Sequence, residues 1–215
     1  MLAITPVIKN LLIINVLVFI GTLWMGDPQL SGEMVATSDW GRMALAAFYP
    51  GSPFFQPYQL VTYMFMHANI SHLFFNMFAI YMFGPPVEAL WGPKKFLFYY
   101  FITGFGALAA HFLVKYLEVT YGDASLSSLN VPVLGASGSV FGVLLAFGML
   151  FPDRQVMLLI PPIPMKAWVM VALYAALELF LGLGNFDSGV AHFAHLGGAL
   201  TGFLLILYWQ GFRLR

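Results

Sequence analysis

KFLFYYFITGFGALAAHFLVK, residues 95–115, contains no Asp, Glu or Arg and keeps its two lysines at its ends. A helical run of that length, rising 1.5 Å per residue, crosses the roughly 30 Å of a bilayer's hydrocarbon core. Other stretches come close to it, and six helices are expected, at 7–25, 71–91, 95–115, 136–151, 167–183 and 192–210. The fourth is short for a span. Composition agrees: of 215 residues 60% are hydrophobic and only 8% charged, against roughly a quarter charged in soluble domains. The expected fold class is therefore an all-α polytopic membrane protein, residues 1–215 forming a single six-helix membrane domain. Zero formal net charge argues against nucleic acid as a partner, because phosphate binding needs a basic surface. The absence of cysteine excludes disulfides and thiolate metal sites. The first run, Val7 to Met25, is followed by no convincing small-residue cleavage site and is read as a retained helix.

Between the first two helices lies a long segment, 26–70, where Gly, Pro and Ser alternate with Trp40, Phe48, Phe54, Phe55 and Tyr58. Aromatic residues of this kind suit the lipid–water boundary, so an interfacial first loop is expected. Pro152, Pro161, Pro162 and Pro164 mark a loop between the fourth and fifth helices, since proline lacks the backbone donor that a helix needs. Basic residues are retained on the cytoplasmic side. An N-terminus-inside topology puts Lys9, Lys94, Lys95, Arg154, Lys166, Arg213 and Arg215 there and leaves Arg42 and Lys115 outside. Asp27, Glu33, Asp39, Glu118, Asp123 and Asp187 then fall in outer loops. Both termini are expected to be cytoplasmic.

In that topology three helices carry unusual polar residues at their outer ends: His67, His72 and Asn76; Gly135, Ser137 and Gly138; His192 and His195. Polar side chains at membrane depth are costly unless paired, and three clusters at one depth imply a shared, water-accessible pocket. Serine becomes a nucleophile when a general base takes its proton, and a neutral imidazole can do so near physiological pH. Ser137 and His195 supply that pair. His72 and Asn76, four apart, share a helix face and can join the amides at the start of the fourth helix as donors to an oxyanion. Gly138 and Gly142, and Gly198 and Gly202, are each four apart, a spacing that lets membrane helices approach closely. Packing of the fourth helix on the sixth would bring His195 to Ser137.

The set Gly135-Ala136-Ser137-Gly138, Ala194-His195-Leu196-Gly197-Gly198 with Gly202, and His67 with His72 and Asn76 resembles the rhomboid family of intramembrane serine proteases. The resemblance covers essentially the whole chain and implies a six-helix rhomboid-like bundle. It implies a catalytic dyad of Ser137 and His195, with His72 and Asn76 at the oxyanion and Gly135 and Gly138 shaping the turn. Gly84, Glu88 and Gly92 match a further family pattern. Where the family often has Trp-Arg in its first loop, this chain has Tyr58 and Gln59. Phe141 stands where a tyrosine often supports the imidazole, and can stack on it without hydrogen bonding. His192 stands where asparagine is frequent. With His67, Gly198 and Gly202, Phe141 and His192 are the expected supporting residues.

Other readings remain open at this stage. A glycine–serine–glycine run can be simple helix packing. The histidines at 67, 72, 192 and 195 could ligate a metal or haem, but that leaves Ser137, Asn76 and the glycines unexplained, and neither a metal nor another cofactor is expected. His111 is read as an interhelical donor away from the pocket. Glu178 is a lone intramembrane acid, functional or else paired within the bundle, and no third acid for the dyad is evident. The expected activity is cleavage of transmembrane protein substrates near the outer face of a bacterial inner membrane, with lipid as the other partner.

Overall fold

The computed structural model describes residues 4–25, 40–157, 162–184 and 191–211. Pro161, Asp27, Glu33, Asp39, Asp187, Arg213 and Arg215 lie outside them, as does the side chain of Trp40. Helix α1 is Pro6–Trp24, followed by the short α2, Trp40–Leu45, and α3, Gln59–Thr62. Then come α4, Ile70–Trp91; α5, Pro93–Tyr121; α6, Ser137–Leu150; α7, Ala167–Leu183; and α8, His192–Trp209. Four helices, α1, α4, α5 and α8, are long and apolar enough to span a membrane. Helices α6 and α7 are apolar but shorter, with 14 and 17 residues. The protein is a multi-pass integral membrane protein with an all-α bundle.

The outer faces of α1 and α7 explain why lipid is the solvent. Leu17, Ile20 and Trp24 on α1, and Phe180 and Leu183 on α7, are exposed. Water would make that surface an aggregation patch; lipid does not. Helix α6 is the opposite case. It is buried on most sides between α4, α5, α7 and α8, and can be short because its start lies in protein and not in lipid.

Small residues set the helix approach. A Cβ on Gly198 would lie 2.0 Å from the Gly138 carbonyl oxygen, so α6 and α8 meet backbone to backbone at that point. Gly142 and Gly202 differ from the expectation of a purely α6–α8 seam. Both face α5, where a Cβ would collide with Thr103 at Gly142 and with the Tyr99 hydroxyl at Gly202. Tyr99 donates to the Gly142 carbonyl at 2.8 Å, fastening this junction with a hydrogen bond.

The Gly84, Glu88, Gly92 pattern gains a physical reading. Gly84 leaves room for the Ile8 side chain of α1. Glu88 accepts from the amides of Val7 and Ile8, each at 3.0 Å, and from the Thr5 hydroxyl. A carboxylate there satisfies orphan donors of the first turn of α1 and complements its dipole. Gly92, at φ 80°, takes the left-handed conformation that turns α4 into α5. Lys95 sits over Trp209, 4.1 Å from its centroid, beside Trp91. Lys9 lies in the first turn of α1, Lys94 and Lys95 in the first turn of α5, and Arg154 and Lys166 between α6 and α7.

Two loop expectations change, and Gln59 gains a role. Phe48 is 1% exposed, packed on Phe54 in the interior of the first loop and not spread on the interface. Gln59, fully buried, donates to the carbonyls of Met43 and Phe54 and accepts from the Gln56 amide, so it anchors the loop itself. The link between α6 and α7 contains an antiparallel pair, β1 Gln155–Met157 with β2 Pro164–Lys166. Pro164 is tolerated because it sits at the first position of a two-stranded edge.

Candidate active site

Two contacts hold the segment that delivers Ser137. Ala47 and Val133 exchange backbone hydrogen bonds at 2.9 Å, and the Gly135 amide donates to Tyr63 at 2.9 Å. Gly135 has φ 123°, and a Cβ there would press on the His72 ring at 2.8 Å, so glycine is required by both conformation and space. The chain then enters α6 with Ser137 as its first residue. The next serine, Ser139, is buried and donates to the Tyr100 carbonyl at 2.8 Å, which removes it from the pocket.

His195, one turn into α8, places Nε2 2.8 Å from Ser137 Oγ. Its ring stacks on Phe141 with centroids 4.5 Å apart and planes within 6°. The side chains of Ser137, His195, His72, Asn76, Phe141 and His111 all line one cavity of about 1400 Å³. His111 therefore faces the pocket, where sequence placed it apart. The cavity continues between α4 and α7, past Phe75, Phe78 and Phe83 on one side and Met170, Leu173 and Leu177 on the other.

Asn69 caps α4, its Oδ1 accepting the His72 amide at 2.8 Å. His72 Nδ1 accepts from the Ala68 amide at 3.4 Å, which assigns the ring proton to Nε2, on the side of Gly135 and Ser137. Asn76 donates one amide hydrogen to the His72 carbonyl at 2.9 Å; its side-chain amide has two. The first-turn amides of α6 have no acceptor within their own helix. His67 stands behind this group, 3% exposed, with its ring edge-on to His72 at 5.0 Å. Burial, and then the neighbouring His72, push its pKa down to about 3, so His67 is neutral.

Sequence reasoning left Glu178 without a place and found no acid near the dyad. The structure puts Glu178 Oε2 2.7 Å from His192 Nδ1 and 3.1 Å from His195 Nδ1. The second contact is off the line of a well-formed hydrogen bond. The acid comes from α7 and the imidazoles from α8, so periodicity within either helix could not have paired them. Ligand atoms of Glu178, His192 and His195 lie within 4.8 Å of one another, as a metal site would require. Ligands about 2.1 Å from a tetrahedral ion stand about 3.4 Å apart; a 2.7 Å contact is that of a shared proton.

Residues 55–211 match the family model described as Rhomboid domain. The chain is 33% identical over 143 residues to Rhomboid protein 1, mitochondrial, of Saccharomyces cerevisiae, covering 65% of this chain and 38% of that one. It is 32% identical over 184 residues to RHOMBOID-like protein 6, mitochondrial, of Arabidopsis thaliana, covering 85% and 50%. Against Rhomboid protease AarA of Providencia stuartii it is 29% identical over 179 residues, covering 80% and 57%. The chain thus spans about half, or less, of the length of these relatives.

Proposed function

The chain belongs to the rhomboid family, and from that premise we propose that it is an intramembrane serine endopeptidase acting on transmembrane segments of other proteins. The observation that carries this reading is the 2.8 Å contact between Ser137 Oγ and His195 Nε2 at the wall of a cavity that continues between α4 and α7. The mechanism draws on this chain's own residues, with no metal or cofactor. His195 Nε2 takes the hydroxyl proton as Ser137 Oγ bonds to the scissile carbonyl carbon. The oxyanion is met by His72 Nε2–H, the Asn76 amide and the Ser137 backbone N–H, each donor contributing about 10²- to 10³-fold. His195 then protonates the leaving amine, and a water, losing its proton to Nε2, releases the acyl group. Gly135 keeps the turn, and Gly138 keeps the approach of α6 to Ala107 of α5, close enough for this geometry. Phe141, His67, His192, Gly198 and Gly202 support the pair.

A substrate helix enters sideways between α4 and α7, and must unwind locally before its carbonyl can be attacked; small, helix-weakening residues near the cut are expected. The basic end of the bundle supports a cytoplasmic location for the start of α1 and the end of α8 in a bacterial inner membrane. The bilayer lipid is the second partner, and nucleic acid is not one.

The test is turnover of a model transmembrane substrate by purified protein in liposomes. Ser137→Ala and His195→Ala should each lower kcat by about 10⁴-fold or more with unfolding unchanged. Cleavage that survives either substitution would overturn the reading, and failure of the wild type on several substrates would favour a non-catalytic client-binding role.

A further inference from the structure

Glu178 lies close to His195, and the chemistry above leaves it unused. Its side chain is 13% exposed and sits behind the imidazole, on the side opposite Ser137. Leaving a carboxylate at that depth is costly unless it is paired. Oε2 meets His192 Nδ1 at 2.7 Å and His195 Nδ1 at 3.1 Å, so both partners are imidazoles of one helical turn of α8. When His195 Nε2 is the atom that accepts the serine proton, Nδ1 is the atom that must carry a hydrogen. An acceptor beside Nδ1 selects that tautomer and lowers the energy of the imidazolium that forms in the transition state.

We propose that Glu178 is a positioning residue for His195, making the site a serine–histidine–glutamate relay with its acid supplied by α7. The inference rests on the protease reading above. His192 holds the carboxylate in place, and Phe141 holds the ring from its face, so His195 is held at Nε2 and across its plane with the carboxylate 3.1 Å from Nδ1. The imperfect line of the 3.1 Å contact fits a resting site, since catalytic hydrogen bonds tighten in the substrate complex. The proton on Nδ1 stays on the ring throughout; Glu178 remains ionised and accepts no proton. His72, which lines the same cavity, belongs to α4 and lies on Ser137's side of the pair, so it cannot substitute at Nδ1. One consequence follows from the topology. Helix α7 forms a wall of the cavity, and a displacement of that wall also withdraws the acid from the base.

The test compares wild type with Glu178→Gln and Glu178→Ala in liposomes, reading kcat and KM separately, thermal unfolding, and the rate at which a fluorophosphonate labels Ser137. Gln keeps the size and one acceptor but loses the charge. Both variants should lower kcat and the labelling rate by about 10- to 100-fold, with KM within about twofold and the unfolding midpoint of Glu178→Gln unchanged; a full loss of the triad acid in soluble proteases costs about 10⁴-fold. Wild-type kcat in Glu178→Gln, or a loss matched by a lower midpoint or a raised KM alone, would overturn the proposal. Ser137→Ala, run alongside, separates the two ideas: if it still cleaves, the protease reading has failed; if only it is inactive, the relay has.

Discussion

Two buried glutamates sit at opposite ends of this bundle, and they are used differently. Glu88 spends both oxygens on the start of α1, accepting two amides at 3.0 Å and a hydroxyl. Every contact is to a group whose partner never changes. Glu178 offers one oxygen to two imidazoles, and its contact with the second is close but off line. Saturated polar groups hold a fold; a partly committed one beside the Ser137–His195 pair can still tighten its contact with the imidazole. The same contrast separates the two serines of α6: Ser139 is buried against a carbonyl, and Ser137 faces the cavity with an imidazole at 2.8 Å.

The sharpest way to break the comparison is Glu88→Gln. An amide presents donors to donors at the α1 cap, and stability should fall by about 2–3 kcal/mol while kcat per folded molecule stays near wild type. Unfolding in detergent, measured with cleavage on the surviving fraction, checks both halves. An unchanged midpoint would remove Glu88 from the structural side. Phe141→Leu should do the reverse, lowering kcat about tenfold through a less constrained His195 with little change in unfolding, because a stacked ring pair contributes roughly 1 kcal/mol. If its unfolding midpoint drops and kcat does not, the ring belongs to the fold and not to the base.

The smallest effect concerns His67. Its pKa in the folded protein lies at about 3, below the ordinary histidine value of 6.5. A depressed value means that the unfolded chain binds the proton first. The contribution to stability is therefore fully present above about pH 6.5 and is lost as pH falls toward 3. Between pH 7.5 and 5.5 the wild type should lose about 1 kcal/mol more than His67→Asn, read as the difference in midpoint shift. Equal shifts in the two proteins would show that His67 is not buried neutral.

Sequence alone was strongest where a helix reports on itself. Apolar length marked the four helices long enough to span a membrane, and polar residues at matching helix ends picked out Ser137, His195, His72 and Asn76, which line one cavity. It was weakest wherever two elements had to be rotated against each other. The spacing of Gly142 and Gly202 said that something packs closely there, but not that it is α5 through Tyr99 and Thr103. Phe48 and Gln59 looked like loop residues, because burial in an irregular segment leaves no period to read. His111 carried no sign that its helix turns that face to the cavity.

What the sequence determined is the solvent, the helices and the chemical types that meet in one cavity, since hydrophobic length and polar cost in lipid act on each segment separately. Only the tertiary structure decided which side of His195 is met by an acid. Glu178 and His195 lie on different helices, and the 3.1 Å between them depends on the mutual rotation of α7 and α8, set by packing among many residues and by no local pattern.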